Sequence, residues 1–106
     1  MPLQLFSGTL NADGVKPIEV KGSIVRETRT DERTGFTVSE FVGVLMVHRF
    51  SNPGFWDFDL ETDIGFRSFI RITDVYHHYH GQIYLLHFGS VGSPITLPSD
   101  GSLGAI

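Results

Sequence analysis

Apolar and polar side chains alternate with a period of two along most of this chain, and turn-forming residues stand at nearly every break in the alternation. A period of two places successive side chains on opposite faces of a β-strand, whereas a helix needs a period of about 3.6. No stretch shows a convincing helical period. The sequence therefore predicts an all-β fold, an antiparallel meander of five to seven strands that forms a small barrel or a sandwich.

The first two predicted hairpins follow from loop composition and side-chain matching. Residues 18–30 pair with residues 36–50 around a polar loop that ends in glycine, so that Ile24 faces Val42. In this register apolar side chains meet apolar ones and opposite charges meet, as cross-strand pairing favours. A second turn, at Ser51–Gly54, contains a Pro-Gly step and pairs this strand with the next one.

The third predicted hairpin has the strongest signal. Its loop, residues 63–65, ends in the glycine that a three-residue hairpin loop needs in the left-handed conformation. In this register Asp57 faces Arg71 on the outer face. A fourth hairpin then pairs Tyr76 with Tyr84.

These registers agree on one buried face. Residues 3–10 and 94–98 are expected to add short edge strands. The predicted core side chains are Phe41, Leu45, Val47, Trp56, Phe58, Leu60, Ile70, Ile72, Tyr76, Tyr84, Leu86 and Phe88.

The opposite face of the predicted sheet is half apolar, which is unusual for a face that meets water. Since monomers rarely expose a large contiguous apolar patch, we expect it to be covered. The cover is either the C-terminal tail, residues 91–106, docked on its own domain, or another protein chain. The predicted binding residues of this face and of the tail are Val20, Ile24, Val44, Met46, Leu103 and Ile106, and Val42 is expected to project from the same face.

A second predicted contact region is the loop that contains His77, His78, Tyr79 and His80. Aromatic side chains bury a large area at low entropic cost, which suits a protein contact. The spacing of His78 and His80 would also place two imidazoles on one face of a strand, as a metal site needs. The predicted hairpin puts His80 in the loop, which spoils that geometry, so we predict neither a metal nor a cofactor.

A polar row supplies the candidate catalytic residues. The predicted register sets His48 opposite Asp57, and Asp57 opposite Arg71. Such a row can orient a general base. No serine or cysteine nucleophile is placed beside it, so a surface charge row without chemistry is the simpler interpretation.

Composition limits the class of partner. At 106 residues the chain is expected to form one domain, residues 1–106. Twelve acidic against eight basic side chains give a net charge of −4, which opposes nonspecific nucleic-acid binding. The N-terminus lacks a signal-peptide pattern and no apolar run is long enough for a membrane helix, so we expect no membrane contact. The absence of cysteine fits a reducing compartment. Because no signal peptide or membrane helix is predicted, a cytoplasmic or virion location is favoured.

Taken together, these features predict a non-enzymatic binding or assembly module that acts through protein contacts, self-associates, and suits a viral or phage structural role. The alternative is a β-barrel that binds a small ligand, or a hydrolase-like enzyme that uses the row of His48, Asp57 and Arg71. That alternative requires the row to line a cavity.

Overall fold

The structure, a computed structural model, describes residues 3–50, 54, 56–78 and 82–98. These residues form six antiparallel strands in one sheet, which confirms the predicted all-β class. The strands are β1 (Gln4–Ala12), β2 (Val15–Thr30), β3 (Thr37–Val47), β4 (Asp57–Thr62), β5 (Arg67–His78) and β6 (Ile83–Ser90).

The sheet closes into a barrel with the strand order β1-β2-β3-β6-β5-β4. The chain forms two three-stranded meanders, β1 to β3 and β4 to β6, joined along two seams where β3 pairs with β6 and β1 with β4. The predicted pairing of β3 with β4 is therefore wrong. The two seams give every strand two neighbours, which a continuous meander achieves only if its first and last strands meet. Of the turn predicted at Ser51–Gly54, the structure describes only Gly54, whose φ is +92°.

The first hairpin differs from its predicted register by one residue. Thr30 pairs with Thr37, and Ile24 pairs with Gly43 instead of Val42. The loop is longer because Phe36 belongs to it: the Asp31 amide donates to the Phe36 carbonyl oxygen at 2.8 Å. A shift of one residue moves every side chain of a strand to the other face. The side chains of β2 that were predicted to point outward therefore point into the barrel.

The hairpin of β4 and β5 is confirmed. Asp57 pairs with Arg71, and Gly65 has a φ of +84° in the loop. The hairpin of β5 and β6 is only half as predicted. Ile72 pairs with Phe88, but a bulge follows, so that Tyr76 pairs with Leu85 and not with Tyr84. The bulge turns Tyr76 outward, where its side chain is exposed.

The barrel interior is filled by apolar side chains. Of the predicted core, Trp56 and Tyr76 are exposed, and Tyr84 is half-buried against the core. Five further side chains, Phe6, Leu10, Val20, Ile24 and Phe66, complete it. The buried set is Phe6, Leu10, Val20, Ile24, Phe41, Leu45, Val47, Phe58, Leu60, Phe66, Ile70, Ile72, Leu86 and Phe88.

The two segments predicted as edge strands have different roles. The N-terminal one is β1, a full member of the barrel. In the other, only Thr96 forms a strand-like bridge, with Arg67. The Thr96 hydroxyl donates to the Gly65 carbonyl oxygen at 2.8 Å, and Pro98 is buried beside Gly65. The described part of the tail, residues 91–98, thus docks over the turn between β4 and β5.

Inward-facing glycines let the strands approach each other closely. A Cβ atom built on Gly43 would lie 2.0 Å from the Ser23 carbonyl oxygen and 2.8 Å from the ring of Phe88. One on Gly22 would lie 2.3 Å from the Val44 carbonyl oxygen. These distances are too short for any side chain, so the strands can approach this closely only because both positions are glycine.

Gly43→Ala is expected to lower the free energy of unfolding by about 3 kcal/mol or more, because the strand must move to admit the methyl group. Gly89→Ala is the control, since a Cβ there would lie 4.0 Å from its nearest neighbour, a methyl of Val42. The control should change stability by less than about 0.5 kcal/mol. Urea unfolding of both variants tests the barrel packing. Equal effects would contradict it.

Candidate interaction surface

The outer surface of β1, β2, β3 and β6 carries an apolar patch, which we call the outer wall. Leu5 is 70% exposed and Met46 is 37% exposed. Cross-strand pairing aligns Leu5 with Ser23 and Ser23 with Val44, so Leu5 and Val44 lie on the same face with a serine between them. The members of the patch are Leu3, Leu5, Val25, Val42, Val44, Met46 and Leu85.

Two adjoining shallow grooves follow the outer wall. One, of about 540 Å³, is lined by Leu5, Val44 and Met46, with Lys21 and Asp63 at its margin. The other, of about 450 Å³, is lined by Leu3, Val25 and Val42, with Glu27 and Glu40 at its margin. An apolar centre with a polar margin is the usual anatomy of a protein interface.

The outer wall retains only part of the predicted binding face. Val44 and Met46 lie on it as predicted. Val20 and Ile24 do not, because the one-residue shift of the first hairpin buries them in the core. Leu5 takes their place. The segment that contains Leu5 was predicted to be an edge strand. It is β1, which lies beside β2 and adds its outward side chains to the patch.

The tail does not cover the outer wall within the residues that the structure describes. Residues 91–98 lie against the end of the barrel, where the Ile95 amide donates to the Arg67 carbonyl oxygen at 2.7 Å. Leu103 and Ile106, predicted to contact the apolar face, fall outside the described residues. Leu5 and Met46 therefore face solvent in the described part of the chain.

The polar row is only half as predicted. Arg71 and Asp57 form a double hydrogen bond, with Nε to Oδ1 at 2.8 Å and Nη2 to Oδ2 at 3.3 Å. His48 is not part of it, because β3 does not pair with β4. His48 borders a different groove, whose lining also includes Glu19 and Glu61. The three candidate catalytic residues are thus not assembled into one row.

The ion pair with Arg71 stabilises the charged form of Asp57, which opposes its use as a proton donor. The hydrogen bond from Arg71, followed by its charge, holds the pKa of Asp57 below its ordinary value of 3.8. The neighbouring Arg67 pairs with Asp59 at 2.8 Å. A general acid at neutral pH needs a raised pKa, so the shift of Asp57 has the opposite direction. The side chains of Asp57 and Arg71 are also exposed on the outer surface.

An aromatic strip crosses one end of the barrel and was not predicted. Trp56 stacks near Phe50 at 6.4 Å between ring centroids, Phe50 lies 6.3 Å from Tyr84, and Tyr84 stacks on His77 at 4.2 Å. Of the predicted histidine loop, His77 therefore belongs to this strip. The register shift after the bulge in β5 creates the contact, since it pairs His77 with Tyr84. Because no bulge was predicted in β5, this contact was not predicted either.

The rest of the predicted histidine loop remains untested. His78 ends β5, and Tyr79 and His80 fall outside the described residues. Among the residues described, no group of three or more histidine or carboxylate side chains is arranged to hold a metal ion. The described strands and turns also include no helix able to cross a membrane.

Comparison of the chain with protein-family models, with curated proteins and with solved structures finds no match. The function must therefore be argued from the surface itself.

Replacing Arg71 by glutamine should raise the pKa of Asp57 toward 3.8, because the charged hydrogen-bond donor is lost. Since the folded-state pKa is lowered, the pair stabilises the fold above the unfolded-state pKa and loses this effect as pH falls through the folded-state value. Its titration therefore affects stability only in acid, below about pH 4. Carbon-detected NMR titration of the carboxyl group measures the shift. Arg67→Gln, which removes the neighbouring pair, should leave Asp57 unchanged, and equal effects of the two variants would contradict the assignment.

Proposed function

We propose that this chain is a non-enzymatic assembly module that binds a second copy of itself through the outer wall. The observation that carries the proposal is the exposure of Leu5, Met46 and their neighbours on a continuous wall of the barrel. A large contiguous apolar patch with a polar margin on the surface of a protein usually marks an interaction site.

Charge along the outer wall favours a second copy as the partner. Lys21 lies at one end of the wall, beside Met46, and Glu40 lies at the other end, beyond Val42. In a two-fold arrangement the same patch meets itself in reverse. The basic end of one copy then lies over the acidic end of the other, with the apolar centres in contact.

The catalytic alternative has less support. It requires His48, Asp57 and Arg71 to act together inside a cavity. His48 lies elsewhere, and the Asp57–Arg71 pair is exposed on the outer surface. Core side chains such as Leu45, Leu60 and Leu86 are fully buried and occupy the space that a ligand would need.

Met46→Glu combined with Leu5→Glu should weaken self-association by at least about tenfold, because it places charges in the apolar centre of the contact. Both side chains are exposed, so the monomer should keep its thermal stability. Sedimentation velocity over a range of concentrations measures the change. Phe69→Glu is the matched control: it is 54% exposed but lies on β5, outside the outer wall. A chain that stays monomeric at high concentration, or a control that acts equally, would refute the proposal.

A further inference from the structure

The hairpin of β2 and β3 extends beyond the barrel as a two-stranded ribbon. The pairing runs from Arg26 with Phe41 to Thr30 with Thr37. Its neighbours stop earlier: β1 pairs with β2 only as far as Ile24, and β6 pairs with β3 only as far as Val42. We call residues 27–30 and 37–40 the ribbon; Arg26 and Phe41 form its base, where Phe41 is buried in the core. A two-stranded ribbon is only marginally stable by itself, so a further strand would stabilise it.

One edge of the ribbon is open within the described residues. The Asp31 amide bonds to the Phe36 carbonyl oxygen, which makes the odd-numbered residues of β2 the ones that bond to β3. Thr28 and Thr30 therefore direct their main-chain amide and carbonyl groups away from β3. No described strand pairs with β2 on that side beyond Ile24. The other edge differs at its base, where the Phe41 amide donates to the Ser90 hydroxyl at 2.9 Å and the tail residues Pro94 and Leu97 line one groove together with Ser39.

We propose that the open edge of β2 pairs antiparallel with the same edge of a second copy, with Thr28 opposite Thr28 on the two-fold axis. Main-chain hydrogen bonds then join Thr28 to its counterpart. In the adjacent pairs Glu27 of each copy faces Arg29 of the other. These are non-hydrogen-bonded positions, in which side chains of an antiparallel pair come closest.

Charge selects this register over its neighbours. Moving the axis by one residue toward the N-terminus sets Glu27 against Glu27, and moving it the other way sets Arg29 against Arg29. Like charges directly opposite each other destabilise a strand pair. Of these three registers, only the axis at Thr28 sets Glu27 opposite Arg29.

The ribbon also contains a charge imbalance that this pairing relieves. Within one copy Glu27 lies directly opposite Glu40, a like-charge pair. Arg29 reaches across to Glu40 at 3.1 Å, which compensates one of the two carboxylates. In the proposed pair Arg29 of the second copy lies beside Glu27, so both carboxylates have a basic neighbour.

This contact is separate from the outer wall, and the two have different consequences. Edge-to-edge pairing leaves the apolar side chains of both walls on the same side of a continuous ribbon, where they do not cover each other. A chain with two self-complementary surfaces assembles beyond a dimer, either into a closed tetramer or into a growing array.

Single cysteines test the register, because the natural chain has no cysteine. Hydrogen-bonded residues opposite each other have Cα atoms about 5.5 Å apart, within the disulfide range of about 4.4–6.8 Å. Thr28→Cys should therefore form a covalent dimer on mild oxidation. Thr30→Cys, on the same edge, should stay monomeric, because in this register its counterpart lies about 13 Å away. Equal cross-linking of the two variants, or none of Thr28→Cys, would overturn the proposal.

Charge exchange gives an independent test that does not depend on oxidation. Glu27→Arg alone and Arg29→Glu alone should each weaken pairing by about tenfold, since each sets like charges together at two positions. The double variant, Glu27→Arg with Arg29→Glu, should restore pairing, and so should mixing the two single variants. Failure of both rescues would overturn the register. Thr28→Cys in the Met46→Glu, Leu5→Glu background should still cross-link, so loss of the outer-wall contact and loss of the ribbon contact are told apart.

Discussion

The pairing of β1 with β4 is the interaction on which the other features depend. It joins the two meanders along their second seam and converts a curved sheet with two free edges into a barrel. Closure directs one face of every strand inward, where Leu10, Ile24 and Leu60 fill the interior. The same closure fixes which side chains are left outside. The outer wall is therefore a product of closure, whereas the ion pairs of β4 and β5 depend on the hairpin that joins those two strands.

Closure also explains where the chain uses glycine. A six-stranded barrel is narrow, so some inward positions have no room for a side chain. Gly8 lies in the closing seam, and a Cβ there would be 2.3 Å from the Glu61 carbonyl oxygen. Gly22 and Gly43 likewise allow β2 and β3 to approach each other closely. The large aromatic side chains of the core, such as Phe6 and Phe88, occupy the space that these glycines leave.

Local patterns in the sequence were sufficient for the parts of the fold that local chemistry determines. The hairpin of β4 and β5 was correct because its loop is short and its charged pairs match, as with Asp57 and Arg71. The predicted register of the first hairpin was wrong by one residue, because the composition of its long polar loop does not show whether Phe36 belongs to the strand. Which strands form the seams was not predictable, since alternation shows which side of a strand is apolar but not which strand lies beside it. The outer wall was therefore found only in part, and His48 was assigned the wrong neighbour.

The seams also bear on the kinetics of folding. Gly8 pairs with Thr62 across about half the chain, and neither seam forms before its distant partner strand exists. Folding that relies on such distant contacts is slow, on the order of milliseconds to seconds for small β proteins. During synthesis β1, β2 and β3 emerge first with their apolar faces exposed, and they wait for β4 and β6. The hairpins of β1 with β2 and of β4 with β5 have short loops, so their contacts are local and do not depend on either seam.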